Sequence, residues 1–302
     1  MKRALVLTFL LFASPVAQAD VLVRVVDYPD QVLSYSPVFI TVVVENGGRE
    51  PVLLPASNFS ANRYFIETGS TKEDLSELSP YDADVTSTEL VWLKPGRSWF
   101  FQMEIGRWLP PSGSIVIRAG MRSTGQCLFR PQGGEEFPLK LVFKNRTVQQ
   151  FECWTGHVVS EPVTIEIVTP DSAVDNEALN YVRSPQFPIG CCLENKFHLR
   201  LQFGASQLLE RFPTSHYGYA GAFYGWKDSP DLLHKLLELQ PSHPLTPYTR
   251  FQKALASITS GHGDEVSLQA LDISSALKDY LVQEKVGYEK RQKRTASPPP
   301  SK

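Results

Sequence analysis

Residues 38–55 read VFITVVVENGGREPVLLP, and this stretch decides the class of the fold. An apolar and β-branched run covers residues 38–44, the sequence ENGG interrupts it, and a second apolar run covers residues 51–54. β-Branched runs on either side of an Asn-Gly pair are typical of two antiparallel strands joined by a tight turn. The sequence therefore predicts a β-hairpin here, at the centre of a β-rich domain.

Short strands are predicted on both sides of this hairpin. They cover residues 21–26, 60–66, 89–93, 99–105, 115–121, 137–143 and 162–168. Lys94-Pro95-Gly96-Arg97, between two of them, has the Pro and Gly positions of a type II turn. Residues 67–84 are polar and are predicted to form a long exposed loop. Short strands at this spacing, without a helical period, predict an all-β sandwich or barrel.

The order of these features resembles the immunoglobulin-like domains found at the front of bacterial exported proteins. The matching segments lie within residues 35–163 and read YSPV followed by ITVVVEN, then GREPV, LKPGRS, GSIVIRA and WTGHVVSEPV. The resemblance implies an immunoglobulin-like β-sandwich over residues 20–170. Because such turn and strand patterns specify a fold and hardly an activity, the resemblance implies no catalytic residue.

The hydrophobic period changes after Pro170, where helical spacing replaces strand alternation. Helices are predicted at residues 172–182, 196–212, 217–226, 229–239, 246–258 and 264–281. Ser172, Ser229 and Thr246 are predicted helix caps, and a proline directly follows the last two. The second half of the chain is therefore predicted to be all-α.

Two segments of this helical half repeat at a distance of 28 residues, LLERFPTSHYGYA at 208–220 and LLELQPSHPLTPY at 236–248. Each predicts a helix, a Pro-broken turn and a second helix that packs back on the first. The first copy resembles the tetratricopeptide family. The resemblance implies a short tetratricopeptide-like helical bundle over residues 171–287. Residues 288–302 are basic and rich in Pro and Ser, and we predict that they form a disordered tail.

The first 19 residues have the pattern of a secretory signal peptide. They combine a basic start, an apolar run at residues 4–13 and a small-x-small cleavage site at Ala17-Gln18-Ala19. We expect an exported protein, periplasmic or extracellular, with no transmembrane segment in the mature chain. The net charge of −2 creates no field that favours nucleic acid, so we expect no nucleic-acid partner.

The four cysteines are Cys127, Cys153, Cys191 and Cys192. An oxidising compartment favours disulfides, and four cysteines allow three connectivities. A bond between Cys191 and Cys192 is disfavoured, because neighbouring Cα atoms are ~3.8 Å apart, below the usual disulfide range. We favour the pair Cys127 and Cys153, which share the β-rich region, and keep a bridge from Cys191 or Cys192 to the β domain as the alternative.

The sequence has no pattern that carries catalysis or cofactor binding. Its six histidines lack metal-ligand spacing, and it contains no Cys-x2-Cys pair, nucleophile elbow, P-loop or dinucleotide fingerprint. We therefore assign no catalytic, cofactor-binding or metal-binding residue. Three glycines at residues 218, 221 and 225 favour close helix packing over the approach of a ligand. The candidates for a partner surface are the aromatic residues of this segment, Tyr217, Tyr219, Phe223 and Trp226.

Three functions fit these features. The first is an exported non-enzymatic interaction or scaffold protein, which binds an unidentified protein or peptide through its helical repeats and its β-sandwich edges or loops. The second is a peptidase inhibitor that presents the loop at residues 67–84. The third is an extracytoplasmic hydrolase whose site has no sequence signature. The absence of a reactive motif beside two folds that commonly bind proteins favours the first.

Overall fold

The computed structural model describes residues 21–55, 63–77, 90–106, 109–129, 149–184, 187, 197–225, 231–263 and 266–296. Strands occupy the described chain up to Val168, and helices occupy it from Ala173 onward. The predicted signal peptide, the predicted strand at 137–143 and residues Cys191, Cys192 and Trp226 lie outside the described residues.

The β part is built from three sheets. Its strands are β1 (Val21–Asp27), β2 (Gln31–Leu33), β3 (Phe39–Asn46), β4 (Val52–Pro55), β5 (Arg63–Gly69), β6 (Ser76–Glu77), β7 (Leu90–Leu93), β8 (Ser98–Glu104), β9 (Gly113–Phe129), β10 (Gln149–Val159) and β11 (Val163–Val168). One sheet has the order β1-β3-β8, a larger one the order β2-β11-β9-β5-β6 with β10 beside β9, and β4 pairs with β7. All pairs are antiparallel except β2 with β11.

Alternation along the strands builds the core between these sheets. In β11, Ile165 and Ile167 are buried while Glu166 between them is exposed. They pack in one cluster with Val42 and Val44 of β3, which belongs to the smaller sheet. Because successive side chains of a strand point to opposite faces, each sheet contributes every second residue to the shared core. The prediction of a β-rich first half is confirmed.

The predicted hairpin at residues 38–55 is wrong, although both of its strands exist. β3 pairs with β1 and β8, whereas β4 pairs with β7 in a different sheet. The reason lies in Asn46, whose side-chain amide donates to the carbonyls of Glu50 (2.8 Å) and Leu93 (2.9 Å). Its Oδ1 accepts from Gly48 N–H at 3.0 Å. Asn46 thus organises a wider loop that carries the chain from one sheet to another.

The turn predicted at residues 94–97 is present between β7 and β8. Arg97 N–H donates to the Lys94 carbonyl at 3.0 Å, and Gly96 has φ of +66°. A positive φ at the third position is what a type II turn requires, and glycine adopts it without steric cost. The local Pro-Gly signal was therefore sufficient to determine this connection.

The helices follow in the order α1 (Ala173–Arg183), α2 (Phe197–Phe203), α3 (Ala205–Arg211), α4 (His216–Gly225), α5 (Asp231–Leu239), α6 (Thr246–Thr259) and α7 (Ser275–Ala296). A 3₁₀ turn at Leu268–Ala270 precedes α7. Ser172 caps α1 as predicted, because its Oγ accepts from Asp175 N–H at 3.0 Å. No helix among the described residues combines the length and the apolar character that crossing a membrane requires.

The 28-residue repeat reappears as a repeated turn geometry. Between α3 and α4, Ser215 N–H donates to the Phe212 carbonyl at 3.1 Å. Between α5 and α6, His243 N–H donates to the Gln240 carbonyl at 3.2 Å, and these residues lie 28 positions later. The Gln240 side chain also donates to the Pro213 carbonyl at 2.7 Å, which joins the two turns. The repeat therefore encodes two helical hairpins that contact each other.

Three predicted helix boundaries are corrected. The helix predicted at 196–212 is broken at Gly204, where a Cβ would overlap the ring of Phe187. Leu245 occupies the N-cap of α6 in place of Thr246, whose hydroxyl instead donates to the Gln240 carbonyl at 3.0 Å. The tail predicted to be disordered from residue 288 is helical as far as Ala296, because α7 continues past Tyr288.

Candidate functional site

The helical part docks on the β part through a set of buried side chains, which we call the junction. Tyr217 of α4 donates its hydroxyl to the Ser34 carbonyl at 2.8 Å. His216, its neighbour, has Nε2 2.6 Å from the Ser36 Oγ. Phe223, two turns further along α4, packs edge-on against Phe39 of β3 with ring centroids 5.4 Å apart. One face of α4 therefore lies against the chain between β2 and β3.

The backbone at the junction adopts an unusual conformation at Tyr35. Its φ of +64° places a bulky residue in the left-handed region, which costs free energy for any residue except glycine. The Arg183 guanidinium lies over the Tyr35 ring, 4.8 Å from the centroid. Ser34 and Ser36, on either side, both bond to α4. Contacts with α1 and α4 thus hold this turn in place.

Two histidines and a tyrosine form a stack inside the helical part. The His243 ring is parallel to that of Tyr219 within 4°, with centroids 3.9 Å apart, and lies 4.7 Å from that of His216. His243 Nδ1 accepts from Leu245 N–H at 3.0 Å. The Tyr219 hydroxyl lies 2.9 Å from the Thr249 hydroxyl. The stack therefore ties the start of α4 to the start of α6.

Burial keeps both imidazoles neutral. It lowers the pKa of His216 to about 4, against a smaller opposite effect of the Asp175 carboxylate. It lowers the pKa of His243 to about 3, and the neighbouring His216 adds to this shift. Burial disfavours the charged form of any base, and a second cation within stacking distance would repel the first. Near neutral pH the stack therefore carries no charge.

Ser36 and His216 have the contact distance of a serine nucleophile and its base. However, Asp175 Oδ1 accepts a 2.6 Å hydrogen bond from the backbone N–H of His216, so this carboxylate orients the helix start and not the ring. Both residues line a cavity of about 160 Å³ with Phe39 and Tyr248. Typical ligand pockets measure about 300–1,000 Å³. The arrangement is suited to joining two parts of the molecule.

A second concavity, which we call the α5–α6 groove, lies on the outer side of the helical part. Its volume is about 560 Å³, and α5, α6 and residues 266–272 line it. Leu237, Ala254 and Leu271 supply apolar surface, and Arg250 and Lys253 supply positive charge. The groove therefore combines apolar contact area with cationic side chains, a composition suited to binding a peptide.

The cations of the groove have weak partners from their own chain. Arg250 Nη1 lies 2.7 Å from Asp272 Oδ2, and the Asp272 side chain is 92% exposed. Lys253 Nζ lies 3.3 Å from Nδ1 of His234, which is also exposed. An ion pair this open to water contributes only about 0–1 kcal/mol, so a carboxylate from outside the chain competes with it easily.

Three of the four side chains predicted as a partner surface lie inside the molecule, and the fourth, Trp226, lies outside the described residues. Tyr217 and Tyr219 are fully buried, and Phe223 is 3% exposed, so their α4 faces contact the rest of the protein. Gly218 explains the tight fit, because a Cβ there would overlap the Phe212 carbonyl. The structure thus uses this aromatic segment for packing, and we do not propose it again as a partner surface.

The two cysteines favoured as a pair lie on neighbouring strands. Cys127 is on β9, opposite Phe151 of β10, and Cys153 follows two positions later and is buried. Their pairing stays a prediction. The prediction of one long loop at residues 67–84 is wrong in its described part, because residues 67–69 belong to β5 and residues 76–77 form β6. Between these strands the Asp74 carboxylate accepts from Ser70 and Thr71 in a compact turn.

Sequence reasoning missed the residues that define both sites. Ser36, His216 and His243 carry no motif, and the histidines lack metal-ligand spacing. The 28-residue repeat does not align the two histidines either, since His216 corresponds to Pro244 and His243 to Ser215. Arg250 and Lys253 stand three residues apart on α6, which indicates one helix face, but nothing local indicates that residues 266–272 fold over it.

Comparisons with known proteins find no family and only weak structural similarity. No family model matches the chain, and no curated protein matches it. Among solved structures, the CARDB domain of a Pyrococcus furiosus protein, in complex with di-metal ions, is similar at 17% identity, with a TM-score of 0.26 and coverage of 50% of this chain and 90% of that one. The neighbours thus include an immunoglobulin-like β-sandwich domain.

Two further solved structures are similar at the same low level. The sporulation control protein Spo0M of Bacillus subtilis has 11% identity and a TM-score of 0.24, with 53% of this chain and 54% of that one covered. A fragment of Escherichia coli alpha-2-macroglobulin has 11% identity and a TM-score of 0.24, with 89% of this chain and 42% of that one covered. Function is therefore argued below from the residues of this chain.

Proposed function

We propose that the protein is an exported, non-enzymatic interaction or scaffold protein whose partner docks in the α5–α6 groove. The observation that carries the proposal is the pairing of apolar surface with Arg250 and Lys253 on one concave face. The occupant is a peptide segment with apolar side chains and at least one carboxylate. Its carboxylate takes the place of Asp272 on the Arg250 guanidinium, while its apolar side chains cover Leu237 and Leu271.

The junction supports a role in presenting this groove. Hydrogen bonds between Tyr217 and Ser34 and between Ser36 and His216 fix the helical part on the β part. A second group of bonds lies further along, where the Gln283 amide accepts from Phe100 N–H at 2.7 Å and donates to its carbonyl at 3.0 Å. The groove is therefore held at a defined orientation to the sandwich, as a scaffold protein requires.

The finer features of the sequence belong to the same proposal. They are an immunoglobulin-like topology for the β part, a tetratricopeptide-like origin of the two helical hairpins, a disulfide between Cys127 and Cys153, and export through a signal peptide at residues 1–19. The repeated turns at Phe212 and Gln240 support the second of these. N-terminal sequencing of the protein from its natural host tests export, since cleavage leaves Asp20 as the first residue.

The groove is tested with peptides of defined sequence. A displayed peptide library is selected on the mature chain, and the best peptides are measured by titration calorimetry against Lys253→Glu and Arg250→Glu variants. We expect each variant to weaken binding at least about tenfold, equivalent to about 1.4 kcal/mol. Lys94→Glu is the matched control, because it makes the same charge change on an exposed residue of the β7–β8 turn. Peptides that bind all three variants equally would refute the proposal that the partner binds in the α5–α6 groove.

A hydrolase is the second candidate, and the 2.6 Å contact between Ser36 and His216 is the observation that favours it. A fluorophosphonate probe separates the two functions, because it labels an activated serine and ignores a hydrogen-bonded structural one. We expect no labelling of Ser36 in the intact protein. Labelling that disappears in a Ser36→Ala variant would replace the binding proposal with a hydrolase.

A further inference from the structure

Three buried polar atoms lie in one row across the small sheet. The strand register places Asp27 of β1 opposite Thr41 of β3, and Thr41 opposite Gln102 of β8. Asp27 Oδ2, Thr41 Oγ1 and Gln102 Nε2 are buried, and none of them has a hydrogen-bond partner within the described part of the chain. We call these three side chains the polar row. Because paired strands lie about 4.8 Å apart, a single ion or water molecule between two neighbouring side chains of the row can contact both of them.

The helical part closes this row from above. Tyr248 on α6, whose hydroxyl donates to the Phe39 carbonyl at 3.3 Å, and Ser274 before α7 lie close to the Asp27 carboxylate. The Gln252 amide donates to Gln102 Oε1 at 3.3 Å. Thr41 at the centre is fully buried. Buried polar atoms almost always have partners, so three unpartnered ones in a single row point to a bound species.

Asp27 is the titratable member of the row, and its carboxylate is partly buried. Burial raises the pKa of Asp27, against smaller opposite effects of Ser274 and Tyr248. The elements packed around it are β3, β8, α6 and the start of α7. Among the described titratable groups, Tyr248 lies beside Asp27, and Glu104 lies two positions beyond Gln102 on the same face of β8. None of the ion pairs in the described chain involves Asp27. A buried carboxylate needs a compensating charge to stay ionised.

We propose that the polar row binds one monovalent cation, Na⁺ or K⁺. Its ligands are Asp27 Oδ2, Thr41 Oγ1 and the amide oxygen of Gln102. A half turn of the Gln102 amide brings that oxygen to the row, and a matching turn of Gln252 keeps the hydrogen bond between the two amides.

The donor set decides the charge of the ion. Hard cations prefer oxygen ligands such as these, and a divalent ion generally recruits several carboxylates, whereas this row supplies one. One carboxylate neutralises one monovalent charge.

This site goes beyond the proposed function, since it lies under the junction and not in the α5–α6 groove. A cation bound in the polar row links β1, β3 and β8. It also stabilises the face of this sheet that Tyr248 and Gln252 of α6 contact. The ion therefore stabilises the docking of the helical part. Peptide binding in the groove and cation binding in the row are expected to fail or succeed independently.

The test is thermal unfolding of the full mature chain in NaCl, KCl and choline chloride at equal ionic strength. Choline is too large for the row, so it reports the general effect of salt. We expect a saturable rise in melting temperature of about 2 to 4 °C in NaCl or KCl over choline chloride, as binding to the folded state alone predicts. The Thr41→Val variant, which keeps the shape and removes the hydroxyl, should abolish the difference between salts.

Two further variants complete the test. Asp27→Asn removes the charge and should also abolish the cation-specific rise. Asp30→Asn makes the same change on an exposed side chain three residues away and should retain it. Equal melting temperatures of the unmodified protein in all three salts would overturn the proposal and leave a bridging water. A cation-specific rise that survives in Thr41→Val would overturn it as well, because the ion would then bind elsewhere.

Discussion

The β part and the helical part are stabilised by different kinds of core. The β core consists almost entirely of aliphatic side chains that alternate along the strands, for example Val42, Val44 and Ile117. The helical core is rich in aromatic rings, and buried polar groups lie among them, such as His243 and Thr249. Aliphatic residues of similar volume replace one another at small cost, whereas a hydrogen-bonded group requires its particular partner. The helical part therefore depends on individual residues to a greater degree.

Acid should produce the largest difference in stability between the two parts, because it destabilises the helical part. His216 and His243 have pKa values of about 4 and about 3 in the folded protein, against 6.5 as ordinary values. Below pH 6.5 the unfolded chain binds protons that the folded chain excludes, so stability is complete above this pH and falls as the pH drops toward 4. The loss from pH 7 to 5 is on the order of 4 kcal/mol for the pair.

Urea unfolding at the two pH values measures this loss. The variant His243→Phe keeps a flat ring in the stack and removes one titrating group, so its pH dependence should shrink by about half. Near-UV signals of Trp92 and Trp99 in the β part should respond less than those of the helical tyrosines. A pH dependence unchanged in His243→Phe would show that the stack does not control the acid response.

The proposed disulfide should act on the β part alone. If Cys127 and Cys153 pair, the Cys153→Ser variant loses a crosslink that closes a loop of about 26 residues, at a cost of about 3.5 kcal/mol. Mass spectrometry of a non-reduced digest identifies the pair, and urea unfolding with and without reductant measures the cost. A crosslinked peptide that contains Cys191 or Cys192 in place of Cys127 would contradict this pairing.

Because α4 is closely packed, the addition of one methyl group at Gly218 should destabilise the helical core. A Cβ at Gly218 would overlap the Phe212 carbonyl, a backbone atom that cannot move alone. We expect Gly218→Ala to destabilise the protein by about 2 kcal/mol. Gly225→Ala is the matched control, since its Cβ would meet the Ala205 side chain at 3.0 Å and the Gln202 carbonyl oxygen at an ordinary 3.5 Å. Equal unfolding free energies of the two variants would disprove the tight contact.

The smallest expected effect concerns a single hydroxyl of the helical core. Tyr219→Phe removes the contacts with Thr246 (3.2 Å) and Thr249 (2.9 Å), whose own hydroxyls keep their bonds to backbone carbonyls. The loss should be about 1 kcal/mol, typical of one buried hydrogen bond. A volume-conserving aliphatic change in the β core, Ile117→Leu, serves as the comparison. A Tyr219→Phe variant as stable as the unmodified protein would remove the contrast between the two cores.

The candidate sites were largely invisible in the sequence. Arg250 and Lys253 stand on one face of a predicted helix, but the groove exists because residues 266–272 fold over that face. Ser36 and His216 are 180 positions apart and meet at the junction. Tyr217 and Tyr219 were predicted to be exposed to a partner, yet both are buried, because Tyr217 lies against Ser34 of the β part and Tyr219 stacks on His243 inside the helical part. Residues that converge from distant segments leave no local pattern.

The sequence by itself determined the local conformations of this protein. Alternation placed the strands, Ser172 began α1, Gly96 formed the β7–β8 turn, and the 28-residue repeat gave two matching helical turns. Each of these depends on hydrogen bonds and steric limits among neighbouring residues, which the local sequence encodes directly.

Tertiary structure alone decided which of these elements meet. It assigned β3 and β4 to different sheets through the hydrogen bonds of Asn46, broke the helix at Gly204 against Phe187, and aligned Asp27 with Thr41 and Gln102. The physical reason is that pairing and burial depend on side chains far apart in the chain, whose combined free energy no short segment contains.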